Sequence, residues 1–191
     1  MLRSFHTANI IEAGLDEVGR GCLAGPVVAA AVILPPDYVH PVLTDSKQLT
    51  RKQRETLRID IERDALAWAV AEVPPEDIDR INILQASFLA MHRAVDVLTI
   101  RPEHLLVDGN RFRPYLMIPH TCVVKGDSHF LSIAAASVLA KVYRDELMAR
   151  LGREFPDYGW AKNAGYPTAI HRDAIQRLGT TKHHRMSFRL L

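Results

Sequence analysis

A chain of 191 residues with 48% hydrophobic and 24% charged residues has the size and composition of one globular unit with a real core. That excludes collagen-like, coiled-coil and wholly disordered classes, and two full domains are not expected. The formal charge of +2 is too small to argue for a polyanionic partner, but it is unevenly placed: residues 159–191 hold Lys162, Arg172, Arg177, Lys182, Arg185 and Arg189 against Asp173 alone, so a tail of net +5 follows a body of net −3. Such a tail suits either phosphates or plain solvent. Cys22 and Cys122 lack Cys-x-x-Cys spacing, which excludes thiolate zinc and redox motifs, and the longest apolar run, residues 27–34, is far too short for a membrane span. A cytoplasmic setting without an anchor is expected.

In chain order, residues 10–15 are short, apolar and rich in β-branched side chains, which predicts a strand running into Asp16-Glu17. Residues 27–34 predict a buried strand stopped by Pro35-Pro36, and the two strands form a hairpin across Gly19-Arg20-Gly21 and Gly25-Pro26. The polar stretch from Asp45 to Leu49 leads to an N-cap at Thr50 and a helix over 51–63. A strand over 67–73 is closed by Pro74-Pro75. Leu84, Phe88, Met91, Val95 and Leu98 share one face of a helix over 84–98. A strand over 104–107 delivers Asp108-Gly109, and an apolar run over 117–124, broken by Pro119, ends at Lys125-Gly126-Asp127. Residues 132–151 predict the strongest helix, whose alanines allow close packing. Residues 156–191 read as less regular, with a short helix over 168–178 ended by Gly179 and then a loose tail in which 185–191 form a disordered terminus. The pattern is α/β, with a mixed central sheet flanked by helices.

Three predicted strands end on acids: Asp16-Glu17, Asp108 and Asp127. If those strands are neighbours, their carboxylates repel one another and call for a compensating cation. An oxygen-only set suits Mg²⁺ or Mn²⁺, and a pair of such ions clamps the attacking and leaving oxygens of a phosphoryl transfer, so the implied chemistry is phosphodiester cleavage. Each acid beside a turn is also an ordinary turn former. Gly19-Arg20-Gly21 supplies unobstructed amides and a guanidinium for a sugar-phosphate backbone, or simply a hairpin turn with a surface arginine. Lys47 is a further phosphate candidate or a solvated loop lysine. His129 could assist proton transfer but reads as a surface group, and His183-His184 extend the basic tail. Asp145 stands at i,i+4 spacing from Lys141 and reads as its ion-pair partner, while Trp68 reads as a packing residue and Trp160 equally as core of the C-terminal segment or as a minor-groove neighbour.

Taken together, Gly14-Leu15-Asp16-Glu17-Val18-Gly19-Arg20-Gly21, Gly25-Pro26-Val27, Asp45-Ser46-Lys47-Gln48-Leu49, Val107-Asp108-Gly109, Lys125-Gly126-Asp127 and the stretch from Ser132 to Asp145 resemble ribonuclease HII in order and spacing over residues 10–172. The resemblance implies an RNase H-like fold in one catalytic domain over 1–191, with a core over about 8–152 and a helical substrate-binding segment over about 153–191. It implies hydrolysis 5′ of ribonucleotides, in RNA–DNA hybrids and at single ribonucleotides embedded in duplex DNA, leaving 3′-hydroxyl and 5′-phosphate ends. Asp16, Glu17, Asp108 and Asp127 would be the catalytic carboxylates, holding two Mg²⁺ or Mn²⁺ ions. Gly19, Arg20 and Gly21 would meet the ribonucleotide and its phosphate, joined by Ser46 and Lys47, while Tyr166 would stack on the following sugar. Pro167 stands where that family usually has a small residue, which puts the turn around Tyr166 in question. A monomer is expected, and the polar-apolar mix of 185–191 is loose enough for a peptide-like contact with a partner such as a DNA clamp. Two rivals stay open: a nucleic-acid-binding module with an inert acid cluster, and another two-metal nuclease on a similar sheet.

Overall fold

The computed structural model describes residues 2–191. Five strands, β1 (Glu12–Val18), β2 (Val27–Ile33), β3 (Ala67–Val73), β4 (His104–Asp108) and β5 (His120–Val123), form one sheet in the order β3-β2-β1-β4-β5. β1, β2 and β3 pair antiparallel as the predicted hairpin and its extension, whereas β4 and β5 add in parallel on the other side of β1. The helices are α1 (Arg51–Asp64), α2 (Pro75–Ile81), α3 (Ile83–Asp96), α4 (Leu131–Glu154), α5 (Trp160–Asn163) and α6 (Ala169–Leu178).

Both faces of the sheet are covered, which is why all seven residues of β2 are buried and its sequence, Val-Val-Ala-Ala-Ala-Val-Ile, does not alternate. One face, carrying Ala13, Leu15, Ala29, Ala31, Leu105 and Val107, packs on Ala86, Ala90, Met91 and Ala94 of α3. The other, carrying Ala30 and Val32, packs on Leu57 and Ile61 of α1 and on Ala134, Ala135, Val138 and Leu139 of α4. The closest approach is at Gly14, where an added Cβ would lie 2.2 Å from the carbonyl carbon of Ser132 and 2.4 Å from the backbone nitrogen of Ile133. No side-chain adjustment relieves a clash between two backbones. Gly14→Ala is therefore expected to destabilise the fold by about 3 kcal/mol or more, at the upper end for overpacking, measured as a lower denaturant midpoint at unchanged slope.

Four sequence expectations need correction. β1 continues through Asp16 and Glu17 to Val18, because its pairing with β2 persists to Val18↔Val28; the acids lie inside the strand's last turns of pleat, not after it. β5 holds only four residues, since Tyr115 and Ile118 are already engaged in a separate bridge ahead of Pro119. Pro74-Pro75 does more than stop β3: Pro75 starts α2, where its missing N–H is harmless and Glu76 and Asp77 suit the helix's positive end. Asn82, at φ 67°, then separates α2 from α3 and caps α3 by accepting from the amides of Leu84 and Gln85.

The fourth correction concerns the tail, which is neither loose nor disordered. Arg185 is wholly buried, Phe188 and Leu190 pack against the core, and Asp79 of α2 accepts hydrogen bonds from the amides of Met186 and Ser187 at 2.8 and 2.9 Å. His184 does not extend a basic surface. It is buried beneath α6, with its Nε2 3.2 Å from Nε2 of His171, and burial lowers its pKa to about 4, so it is neutral. Trp160 is also wholly buried and donates to the same His171 nitrogen at 2.9 Å.

Candidate active site

The parallel pairing of β1 with β4 sets Leu15 beside Val107, so Asp16 and Asp108 leave adjacent strands at the same end of the sheet. Asp127 arrives by a different route. Lys125 takes a left-handed conformation at φ 56°, and a short 3-10 turn, Gly126–Ser128, follows. The amide of Gly126 donates to Oδ1 of Asp108 at 2.7 Å, tying that turn to the end of β4.

Asp16 and Asp127 are 6% and 3% exposed, and each feels the charge of Asp108. Burial pushes the pKa of Asp16 well above its usual range, and the charges of Glu17 and Asp108 push it further. Glu17 is raised by burial too, partly offset by Arg20, whose Nη1 sits 3.1 Å from its Oε1. Asp127 is raised by burial, then by Asp108 and Asp45. Opposite them, Lys47 has its Nζ 3.8 Å from Oδ2 of Asp127. Burial works against its charge, but Asp45, Asp127, Asp16 and Asp108 together hold its pKa above the ordinary lysine value. The structure thus gathers the four predicted acids into one electrostatically linked set in which negative charge exceeds the nearby cations Arg20 and Lys47. Their oxygens are not drawn to within 4.8 Å of one another as a trio.

The loop between β1 and β2 is held from beneath. Gly19 stands at φ +95°, and an added Cβ would lie 2.2 Å from Nε of Arg144. Arg144, on α4 and wholly buried, donates to the carbonyls of Pro26 (2.9 Å), Ala24 (3.2 Å) and Ala164 (2.9 Å). Arg185 donates to those of Gly25 (3.0 Å) and Arg20 (2.9 Å), and burial lowers its pKa to about 10. Gly21 differs from Gly19: its backbone is unstrained and nothing lies within 4 Å of where a Cβ would be. Packing does not require a glycine there, and the open space leaves its backbone approachable from outside.

Tyr166 is 40% exposed beside this loop, with its hydroxyl against the thiol of Cys22, and the amide of Leu23 donates to the carbonyl of Gly165 at 2.8 Å. Pro167 is accommodated by a tight turn in which the amide of Thr168 donates to the Tyr166 carbonyl at 2.8 Å. The Gly-Arg-Gly loop and Tyr166 therefore share one ridge. Ser46 is placed differently from a surface contact: it is buried, its hydroxyl lies 2.8 Å from that of Ser137, and the Ser137 hydroxyl in turn favours the ionised Asp16 carboxyl. His129 is exposed, and among the described residues no hydrogen bond joins its ring to the acids. Asp145 pairs with Lys141 at 2.7 Å, as its spacing predicts.

Sequence reasoning missed Arg144, Arg185 and Ser137. An arginine four residues from the small-residue run of α4 offered a signal only in hindsight, because its burial depends on the loop it supports.

A mixed sheet in this order, covered on both faces, with acids delivered side by side from parallel central strands, is that of the ribonuclease H-like hydrolases. The family model for ribonuclease HII matches residues 13–191. A ribonuclease HII from Bacteroides thetaiotaomicron is 64% identical over 191 residues, covering all of this chain and 96% of that protein. Among solved structures, ribonuclease H2 from Pyrococcus horikoshii is 25% identical with a TM-score of 0.78, covering 94% of each chain. The ribonuclease HII of a PCNA complex from Archaeoglobus fulgidus is 26% identical with a TM-score of 0.78, covering 95% of this chain and 96% of that one. The chain belongs to the ribonuclease HII family of metal-dependent ribonucleases. Among the described residues, no helix is long and apolar enough to cross a membrane.

Proposed function

We propose that the chain hydrolyses the phosphodiester 5′ of ribonucleotides, both in RNA–DNA hybrids and at single ribonucleotides within duplex DNA, leaving 3′-hydroxyl and 5′-phosphate ends. Asp16, Glu17, Asp108 and Asp127 would hold two Mg²⁺ or Mn²⁺ ions. The fit rests on the donor set: it is all carboxylate, mutually repelling and short of cations, which suits hard divalent ions. Bound there, such ions supply Lewis acidity and charge neutralisation at the phosphorus.

The chain's own residues do the rest. The exposed Gly21 amide and Arg20 guanidinium meet the ribose 2′-hydroxyl and its phosphate, the group that separates RNA from DNA at one nucleotide. Tyr166 stacks on the next sugar, and Lys47 offers an exposed ammonium to a phosphate. Ser46 and Ser137 orient the Asp16 carboxylate. The observation that carries this reading is the unfilled space at Gly21, on a loop locked beside Asp16 and Glu17 and next to Tyr166. A binding module without catalysis would gain nothing from four carboxylates facing a polyanion.

Residues 1–191 act in this reading as one catalytic domain, monomeric and cytoplasmic, with 153–191 forming the substrate side. A clamp of the PCNA kind would meet exposed side chains such as Met186 and Arg189 on a folded surface rather than a free peptide. A duplex DNA carrying one ribonucleotide should be cut once, on its 5′ side, in Mg²⁺ or Mn²⁺, and left whole in chelator. Cleavage of an all-DNA duplex at a similar rate, or cleavage that persists in chelator, would overturn the reading.

A further inference from the structure

We propose that His6, Glu12 and His104 form a second metal site, for a single divalent ion of the zinc class, at the end of the sheet opposite the acids. Glu12 opens β1 and His104 opens β4, and the two are register partners. Asp16 and Asp108 lie four residues further along the same strands, roughly 13 Å away at about 3.3 Å per residue. The two central strands thus present a ligand pair at each end.

Each ligand atom of the trio lies within 4.8 Å of the others, a spacing that no other His, Cys, Asp or Glu trio reaches among the described residues. Nδ1 of His104 is 3.6 Å from Oε1 of Glu12. That is too long for an N–H···O hydrogen bond, whose range ends near ~3.2 Å. It is close to the ~3.4 Å expected between two ligands that each stand about 2.0–2.1 Å from a shared tetrahedral ion. His104 is 9% exposed, and its Nδ1 is buried without any hydrogen-bond partner, facing this carboxylate.

The surrounding groups leave the right atoms free. The Thr121 hydroxyl lies 3.1 Å from Nε2 of His104 and engages that nitrogen, leaving Nδ1 for a ligand role. The Thr7 hydroxyl lies 3.0 Å from Nδ1 of His6 and leaves its Nε2. The amides of His6 and Thr7 donate to the Glu12 carboxylate at 2.7 and 2.8 Å, fixing its orientation, and among the described residues no lysine or arginine is paired with it. Two imidazoles and one carboxylate favour a borderline ion such as Zn²⁺ over Mg²⁺. Exposed His6 leaves a route from solvent and a fourth position for water.

An ion there would clasp the first residues to the sheet. Arg3 already exchanges backbone hydrogen bonds with His129 and Leu131, on either side of the start of α4, so the clasp would brace the segment that follows Asp127.

The test is Co²⁺ as a spectroscopic stand-in, titrated into metal-free protein, alongside thermal unfolding with and without Zn²⁺. The expected result is one equivalent giving tetrahedral Co²⁺ absorption, displaced by Zn²⁺, and a higher midpoint in Zn²⁺. His6→Ala, at an exposed position, should fold normally, weaken binding by about 100-fold or more, since losing even a partner that orients a ligand costs about 10–100-fold, and lose the Zn²⁺-dependent rise. Asp16→Asn combined with Asp108→Asn should leave both signals intact. The proposal is overturned if wild type and His6→Ala give the same spectrum and the same response to Zn²⁺, if no tetrahedral species forms, or if the signals vanish with the Asp16 and Asp108 substitutions instead.

Discussion

Asp16→Asn should lose cleavage by roughly 10³-fold or more and at the same time make the metal-free protein harder to unfold at neutral pH. In the folded chain the Asp16 carboxyl titrates well above its unfolded value of about 3.8, owing first to burial and then to Glu17 and Asp108. A carboxyl raised in this way contributes stability that is full below the unfolded value and is lost as pH rises through the folded one. At neutral pH its ionised form is a net burden, which asparagine does not carry. The asparagine side chain can still accept from the Glu17 amide, which makes a 2.7 Å bond to Oδ1 of Asp16, and can donate to Ser137. Thermal unfolding in chelator from pH 4 to pH 8 should show the variant's advantage growing with pH, and cleavage of the single-ribonucleotide duplex should report the loss of turnover. Near-normal cleavage would remove Asp16 from the catalytic set. A lower midpoint across the whole range would mean that its hydrogen bonds outweigh the repulsion.

Arg144→Ala should be the most destructive single change to the loop between β1 and β2. It withdraws three donors, from the buried carbonyls of Pro26 and Ala24 and the partly buried one of Ala164, and leaves space beneath Gly19. Removing a buried guanidinium with its hydrogen bonds unreplaced costs about 3–5 kcal/mol, which for a chain of this size lowers the thermal midpoint by about 10 °C or more. Arg144→Lys keeps the charge but not the fork of donors, so it should recover only part of the stability and leave KM for the ribonucleotide duplex raised more than kcat is lowered. Equal stability of wild type and Arg144→Ala by chemical denaturation would show that the carbonyls find other partners.

The sequence made legible those parts of the fold that local pattern controls. Apolar runs located all five strands, Thr50 marked the start of α1, and Gly179 marked the end of α6. Strand ends on acids pointed to one end of the sheet, and the structure gathers those acids electrostatically. What local pattern could not reveal depends on distant partners. Arg185 reads as one more basic residue of a charged tail, yet its surroundings are the carbonyls of Gly25 and Arg20, about 160 positions earlier in the chain. His184 is neutral because α6 covers it, and Ser46 turns inward because Ser137 of α4 is there to receive it. A terminal segment of mixed polar and apolar residues without periodicity looks unstructured until the loop that accepts it is in place.

The continuity of α4 has a consequence for where a strand is cut. Ser137, whose hydroxyl favours the ionised Asp16 carboxyl, and Arg144, which supports the loop between β1 and β2, are seven residues apart on one unbroken helix, about 10.5 Å or two turns at 1.5 Å per residue. In the proposed reading this helix would act as a ruler, setting the offset between the sugar that is read and the bond that is broken. Adding or deleting one residue between the two positions would rotate the marks by about 100° and blur the cutting register without altering either set of contacting side chains.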